Sequence, residues 1–236
     1  MKVFQIGAAG GVGRRLAAQL VARDDQVTGM HRRPEQAATI GGTGATSVLG
    51  DLVNDPVEEL AERMHGHDAV VFSAGAHGTG RDQTTLIDGA GLEKAAAAAA
   101  QAGVPRFVLV SAFPESERGR DLGEGFEHYM RVKKAADVHL VHTELDWVIV
   151  RPGGLLDSSG TGHVSAGPAI AYGSIPRDDV AGVIAEILHT PAVSREIVEL
   201  TSGPTPIAEA VASLARARQN TNGGSATPSP DHESNE

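Results

Sequence analysis

Tyr129 and Lys133 stand four residues apart, a spacing that puts both on one helical face about one turn from each other. A phenol and an ammonium so placed suit proton exchange. The cation favours the phenolate and would lower the tyrosine from its ordinary pKa of about 10, so that Tyr129 trades a proton with a carbonyl or alcohol near neutral pH. Ser111 closes the apolar run Arg106-Phe107-Val108-Leu109-Val110 and is a candidate to hold the substrate oxygen. The three residues together fit hydride transfer at a carbonyl carbon, which requires a bound hydride carrier.

The carrier's place is read from Phe4-Gln5-Ile6-Gly7-Ala8-Ala9-Gly10-Gly11-Val12-Gly13-Arg14-Arg15-Leu16, where three glycines recur every three residues between a strand pattern and a helix pattern. Gly7 lets the chain turn sharply, Gly10 lets a pyrophosphate approach the backbone, and Gly13 lets the helix pack closely on the sheet. Ala9, Gly11 and Val12 complete this phosphate cradle, in which the unpaired N–H groups and dipole of the helix favour an anion. At the end of the second strand, where an acidic residue would accept the ribose 2′-hydroxyl of NAD, the chain has Met30-His31-Arg32-Arg33. Two guanidinium groups in place of a carboxylate favour the 2′-phosphate of NADP, with NAD left possible. Gly50-Asp51-Leu52 follows the third strand, where Asp51 either meets the adenine amino group or forms a turn.

These residues need a frame of alternating strands and helices. The predicted strands are Lys2–Ile6, Gln26–Met30, Thr46–Leu49, Ala69–Phe72, Arg106–Val110, Asp146–Val150 and Ile197–Thr201. Helices are predicted over Gly11–Ala22, Pro34–Ile40, Pro56–Met64, Thr84–Ala102, Gly125–His142 and Arg177–Leu188. The fold class that follows is α/β, a doubly wound parallel sheet of the Rossmann type, with ligands at the carboxyl ends of the strands. Residues 1–219 are expected to form one domain, with 153–176 as a Gly-, Ser- and Pro-rich segment covering the substrate and 220–236 as a disordered tail. The Ala95–Ala100 run reads as a buried helix, and the acidic start Arg177-Asp178-Asp179 as complementing a helix dipole.

A chain of 236 residues with a net charge of −10 disfavours nucleic acid and anionic membranes as partners. With no cysteine there are no disulfides or thiolate sites, and no apolar run spans a membrane or forms a signal peptide, so a cytoplasmic location is expected. Among the ten histidines, His65 with His67 and His139 with His142 lack a supporting ligand set, so no metal is expected. His77 and His128 are candidates to face a substrate, with surface placement the plainer reading.

The sequence resembles the atypical and extended short-chain dehydrogenase/reductases, in particular the small NAD(P)H-binding proteins of epimerase/dehydratase-like or NmrA-like type. The resemblance runs from about Lys2 to Leu214. It is carried by the glycine segment, by Val70-Val71-Phe72-Ser73-Ala74-Gly75, by Ala102-Gly103-Val104-Pro105-Arg106-Phe107-Val108-Leu109-Val110-Ser111, by Tyr129-Met130-Arg131-Val132-Lys133, by Trp147-Val148-Ile149-Val150-Arg151-Pro152-Gly153-Gly154-Leu155, and by Thr201-Ser202-Gly203-Pro204-Thr205-Pro206-Ile207. It implies that Ser73, Ala74 and Gly75 run beside the cofactor's ribose, that Pro152 and Gly153 flank the nicotinamide, and that Lys133 also holds the nicotinamide ribose. The implied activity is NADP-dependent reduction or oxidation of a small carbonyl compound or quinone, as a monomer or homodimer. A non-catalytic NADP(H) sensor is the alternative, followed by a sugar epimerase or dehydratase, for which the short stretch after Val150 leaves little room.

Overall fold

The computed structural model describes residues 1–76, 78, 80–114, 116–117 and 119–222. His77 and the tail beyond 222 lie outside the described residues. Strands β1 (Lys2–Ile6), β2 (Gln26–His31), β3 (Thr46–Leu49), β4 (Ala69–Phe72), β5 (Arg106–Val110), β6 (Asp146–Pro152) and β10 (Glu196–Ser202) run parallel. With β8 (His163–Gly167) and β11 (Thr205–Pro206) they form one sheet, in the order β11-β8-β10-β6-β5-β4-β1-β2-β3. The architecture is Rossmann-like and mostly parallel; β8 is antiparallel to β10 and β11.

Alternation along the strands explains the layers. Val3, Val71, Val108, Val148, Val150 and Val198 belong to the core shared with α1 (Gly11–Val21), α7 (Arg177–Leu188) and α8 (Ile207–Asn222). Phe4, Ile6, Phe72, Phe107, Leu109 and Ile149 point the other way, into the core shared with α3 (Val57–Met64), α5 (Gly91–Gln101) and α6 (Gly123–Val141). A strand buried on both faces reads as a continuous apolar run, as Ala69–Phe72 does. On α5 the buried Ala95, Ala96, Ala98 and Ala99 let the helix lie close to its neighbours. The α2 helix (Ala37–Gly41) follows a 3₁₀ turn at Pro34–Gln36.

Three differences from the sequence reading affect the site. Between α4 (Arg81–Thr84) and α5 the helix widens into a π-helical turn over Thr85–Ala90, where the propensities predicted one smooth helix. The segment 153–176 contains β7 (Gly154–Leu156), β8 and β9 (Ser174–Pro176); β7 and β9 pair as a small parallel sheet of their own. And α8 continues to Asn222, into the stretch read as tail. Among the described residues, no helix is long and apolar enough to cross a membrane, and no three His, Asp or Glu residues cluster in a way that would hold a metal.

Candidate functional site

The chain leaves β1 at Gly7 with φ +87°, and a Cβ there would come 2.5 Å from Ala74 N. A Cβ on Gly13 would overlap Gly7 O, so the start of α1 can approach β1 only because both positions lack side chains. Gly10 donates its N–H to Gly7 O at 2.9 Å and caps α1 without a side chain. Gly7 and Gly10 border a groove of about 430 Å³ at the carboxyl ends of β1, β2 and β4. Ala9 and Gly10 line its centre, Arg32, Arg33, Asp51 and Leu52 one end, and Ser73, Ala74 and Gly75 the other.

At the far end Arg32 and Arg33 are exposed; Arg33 Nε makes an ion pair with Glu35 at 3.3 Å. His31 is buried, with Nδ1 3.0 Å from Arg33 O, and helps to set the bend. Asp51 is committed to its own turn, accepting from Val53 N at 2.9 Å and from Asn54 Nδ2 at 2.8 Å. Burial pushes this carboxyl up, but those bonds and the Arg32 charge outweigh it and hold Asp51 below the ordinary range. Leu52 forms the apolar floor.

A second cavity of about 520 Å³ continues from the first, sharing Ser73 to Ala76 with it. Gly11 and Val12 line its entrance; Ser111, Tyr129 and Lys133, separated in sequence, meet within it. Ser111 begins the turn out of β5, with its N–H donated to Val150 O at 2.7 Å. Its Oγ is buried, with the Asp137 carboxyl as its polar neighbour. Tyr129 and Lys133 project one turn apart from α6, with the Phe126 ring 6.3 Å from the Tyr129 ring.

Lys133 does not behave as the spacing predicts. Its Nζ donates to Val110 O at 3.0 Å and pairs at 3.5 Å with Asp88 Oδ1, a carboxylate of the π-helical turn. The phenol is correspondingly not made more acidic. Burial, then the negative charges of Asp88 and Asp137, push Tyr129 up to about 12, so the expected lowering is corrected to a rise. Asp137, one turn beyond Lys133, accepts from Arg151 Nε at 2.9 Å. Burial raises its carboxyl, an effect that the nearby Ser111 hydroxyl and the Arg151 guanidinium oppose.

Not every expected residue reaches the cavities. Pro152 and Gly153 are buried and line neither; Gly153 donates to Leu200 O at 2.8 Å, and its missing Cβ leaves room for Gly173 O. Gly13 acts by packing alone. Leu155, from β7, is the residue of that segment that faces the cavity, and His128 turns to Thr85 Oγ1 at 2.9 Å. Asp88, Phe126, Arg81 and Arg177 line the cavity without having been singled out for it. Asp88 was hidden in an ordinary helix pattern, and Arg81 lay before the predicted helix start at Thr84. Asp179, in the first turn of α7, accepts from Thr161 N and Gly162 N in the turn that leads into β8, so its carboxylate is engaged with that segment rather than with the N–H groups of its own helix. Its neighbour Arg177 instead packs across Gly11, whose Cβ would come 2.8 Å from Arg177 Cδ.

Residues 7–191 match a protein-family model described as NAD(P)H-binding. The chain belongs to that NAD(P)H-binding family. It is 42% identical over 216 residues to a Bacillus subtilis protein named uncharacterized sugar epimerase YhfK, covering 91% of this chain and 100% of that one. Among solved structures, a putative NAD-dependent epimerase/dehydratase from Bacillus halodurans is 34% identical with a TM-score of 0.82, covering 90% of this chain and 99% of that one. The oxidoreductase YlbE from Lactococcus lactis is 30% identical with a TM-score of 0.80, covering 92% and 97%. The glycine cradle fits the dinucleotide that defines this family, since side chains at Gly7 and Gly13 would collapse it.

Proposed function

We propose that this NAD(P)H-binding chain is an NADP-dependent reductase of small carbonyl or quinone compounds. The observation that carries this reading is the meeting of Ser111, Tyr129 and Lys133 in a cavity continuous with the groove that ends at Arg32 and Arg33. Bound there, a reduced nicotinamide dinucleotide would supply the hydride. The chain's own residues would do the rest. The buried Ser111 Oγ orients the substrate oxygen, Tyr129 Oη delivers the proton, and Lys133 holds the nicotinamide ribose. Ser73, Ala74 and Gly75 flank that ribose, and Arg32 and Arg33 bind the 2′-phosphate. A cavity of about 520 Å³ that must also admit the nicotinamide leaves room for a small substrate, which favours reduction over the epimerase activity in the B. subtilis relative's name.

The test is calorimetry with both cofactors, followed by a panel of aldehydes, ketones and quinones monitored through reduced-cofactor absorbance. NADP is expected to bind more tightly than NAD, and replacing Arg32 and Arg33 by Ala is expected to narrow the gap, each charge-assisted contact contributing about 1.5–3 kcal/mol. Equal affinities in the parent would overturn the NADP assignment. Cofactor binding with no turnover across the panel would instead favour a sensor.

A further inference from the structure

Asp88 is 2% exposed and Lys133 4% exposed, so their pair at 3.5 Å lies in the wall of the cavity, away from bulk water. The carboxylate is fixed from two sides. Oδ2 accepts the Ala76 N–H at 2.9 Å, and Gly75 leaves just enough space, since a Cβ there would stand 3.2 Å from Oδ1. The π-helical turn at Thr85–Ala90 places Asp88 at this point, and such turns occur often at functional sites. We propose that Asp88 is a positioning residue that occupies the Lys133 charge, keeps Tyr129 a neutral hydrogen-bond donor, and so suits the site to carbonyl reduction rather than to alcohol oxidation or sugar epimerisation.

The charge balance supports this assignment. Tyr129 is faced by Lys133 and Asp137 from its own helix, and by Asp88 from the π-helical turn. Arg151 of β6 reaches only Asp137, at 2.9 Å, while Arg81 of α4 and Arg177 of α7 line the cavity but are engaged with Glu124 at 3.3 Å and Asp157 at 3.0 Å. A base that takes a proton from an alcohol must begin as phenolate, which a free Lys133 would favour and a paired one does not. In reduction the balance runs the other way: Tyr129 Oη loses its proton to the carbonyl oxygen as the carbonyl carbon accepts hydride from NAD(P)H, and the phenolate then recovers a proton from water. Sugar epimerisation begins with oxidation of a hydroxyl and needs the phenolate at the outset.

This inference rests on the reductase reading for its purpose, but its test needs neither substrate nor cofactor. The chain has two tyrosines, so protein labelled with 3-fluorotyrosine gives two fluorine resonances, Tyr129 being assigned by its loss in Tyr129→Phe. In the parent, Tyr129 is expected to stay protonated above the ordinary tyrosine range, beyond about pH 10. Asp88→Asn, which keeps an oxygen to accept the Ala76 N–H, is expected to lower the Tyr129 midpoint by about one pH unit or more. Lys133→Met, which leaves the Asp88 charge uncompensated, is expected to raise it, and the two changes should be non-additive in the double variant. An unshifted midpoint in Asp88→Asn overturns the proposal. If that variant does not fold, an unchanged or lowered midpoint in Lys133→Met does so alone. Expected titrations without any carbonyl turnover would leave the Asp88 assignment standing and remove the reductase reading.

Discussion

Tyr129 is the residue whose replacement best separates chemistry from binding. Tyr129→Phe is expected to reduce turnover by about 10²-fold or more while cofactor affinity is retained, because proton donation is lost and the glycine cradle is untouched. Steady-state kinetics on an identified substrate, set beside calorimetry, checks both halves, and parental turnover in the variant would exclude the proton transfer. Lys133→Met is expected to weaken turnover and cofactor affinity together. At this scale the sequence was partly legible. The four-residue spacing of Tyr129 and Lys133 and the strand-end place of Ser111 are local properties, and the structure brings all three to one cavity. The sign of the electrostatics was not legible, because it depends first on burial of the phenol in the assembled cavity and then on Asp88, which looks like any helical carboxylate until a π-helical turn sets it 3.5 Å from Lys133 Nζ.

At the scale of elements, the close approach of β1 and α1 makes a prediction at a glycine with an ordinary backbone conformation. Gly13→Ala would drive its Cβ into Gly7 O, and backbone cannot step aside as a flexible side chain does. The expected result is a stability loss of about 1–3 kcal/mol, as for other overpacked sites, together with weakened cofactor binding. Gly41→Ala, in α2 with nothing within 4 Å of the new methyl, is the matched control. It is expected to be neutral or to stabilise by up to about 1 kcal/mol. Thermal melts with and without cofactor distinguish the two, and equal effects would refute the packing argument. Among the seven parallel strands, the central ones were legible because strands buried on both faces carry dense apolar runs, as in Arg106–Val110 and Asp146–Val150, while β3, with no fully buried residue, was legible from its β-branched Thr46 and Val48 between glycines. β7, β9 and β11 were not: Gly154–Leu156, Ser174–Pro176 and Thr205–Pro206 are too short to show a period, and glycine or proline in each argues against a strand. Pro152 and Gly153 were misplaced for a related reason, since β6 continues through Pro152 and buries it.

For the molecule as a whole, Asp25 ties together parts distant in sequence. It accepts from the Met1 ammonium at 2.7 Å and lies 2.8 Å from His189 Nε2, just after α7. Burial acts to raise its carboxyl, but the bonds from the terminal ammonium and His189 outweigh that and leave Asp25 below its ordinary range. A carboxyl lowered in the folded state stabilises above its unfolded value of about pH 4, and the contribution is lost as pH falls through the folded value. Asp25→Asn is therefore expected to cost about 1–2 kcal/mol at pH 7, a fall in Tm of about 2–8 °C, with the gap to the parent closing as the pH is lowered below about 4. Calorimetric melts over that range check it; a gap that does not change with pH would show that the contact acts by shape alone. The order of the sheet also has a consequence for synthesis. Among the described residues, β8 pairs with β10 and β11, both made after it, and β10 lies between it and β6. On the ribosome, the strands that carry the dinucleotide groove emerge early and can pair as they appear. Strands β7 and β9 can pair with each other once Pro176 has emerged, but β8 has no sheet to join until residues 196–202 leave the exit tunnel. A nascent chain stalled before that point would hold its nucleotide-binding strands in register while β8 still waited for its partner, so the dinucleotide groove is complete before the sheet is.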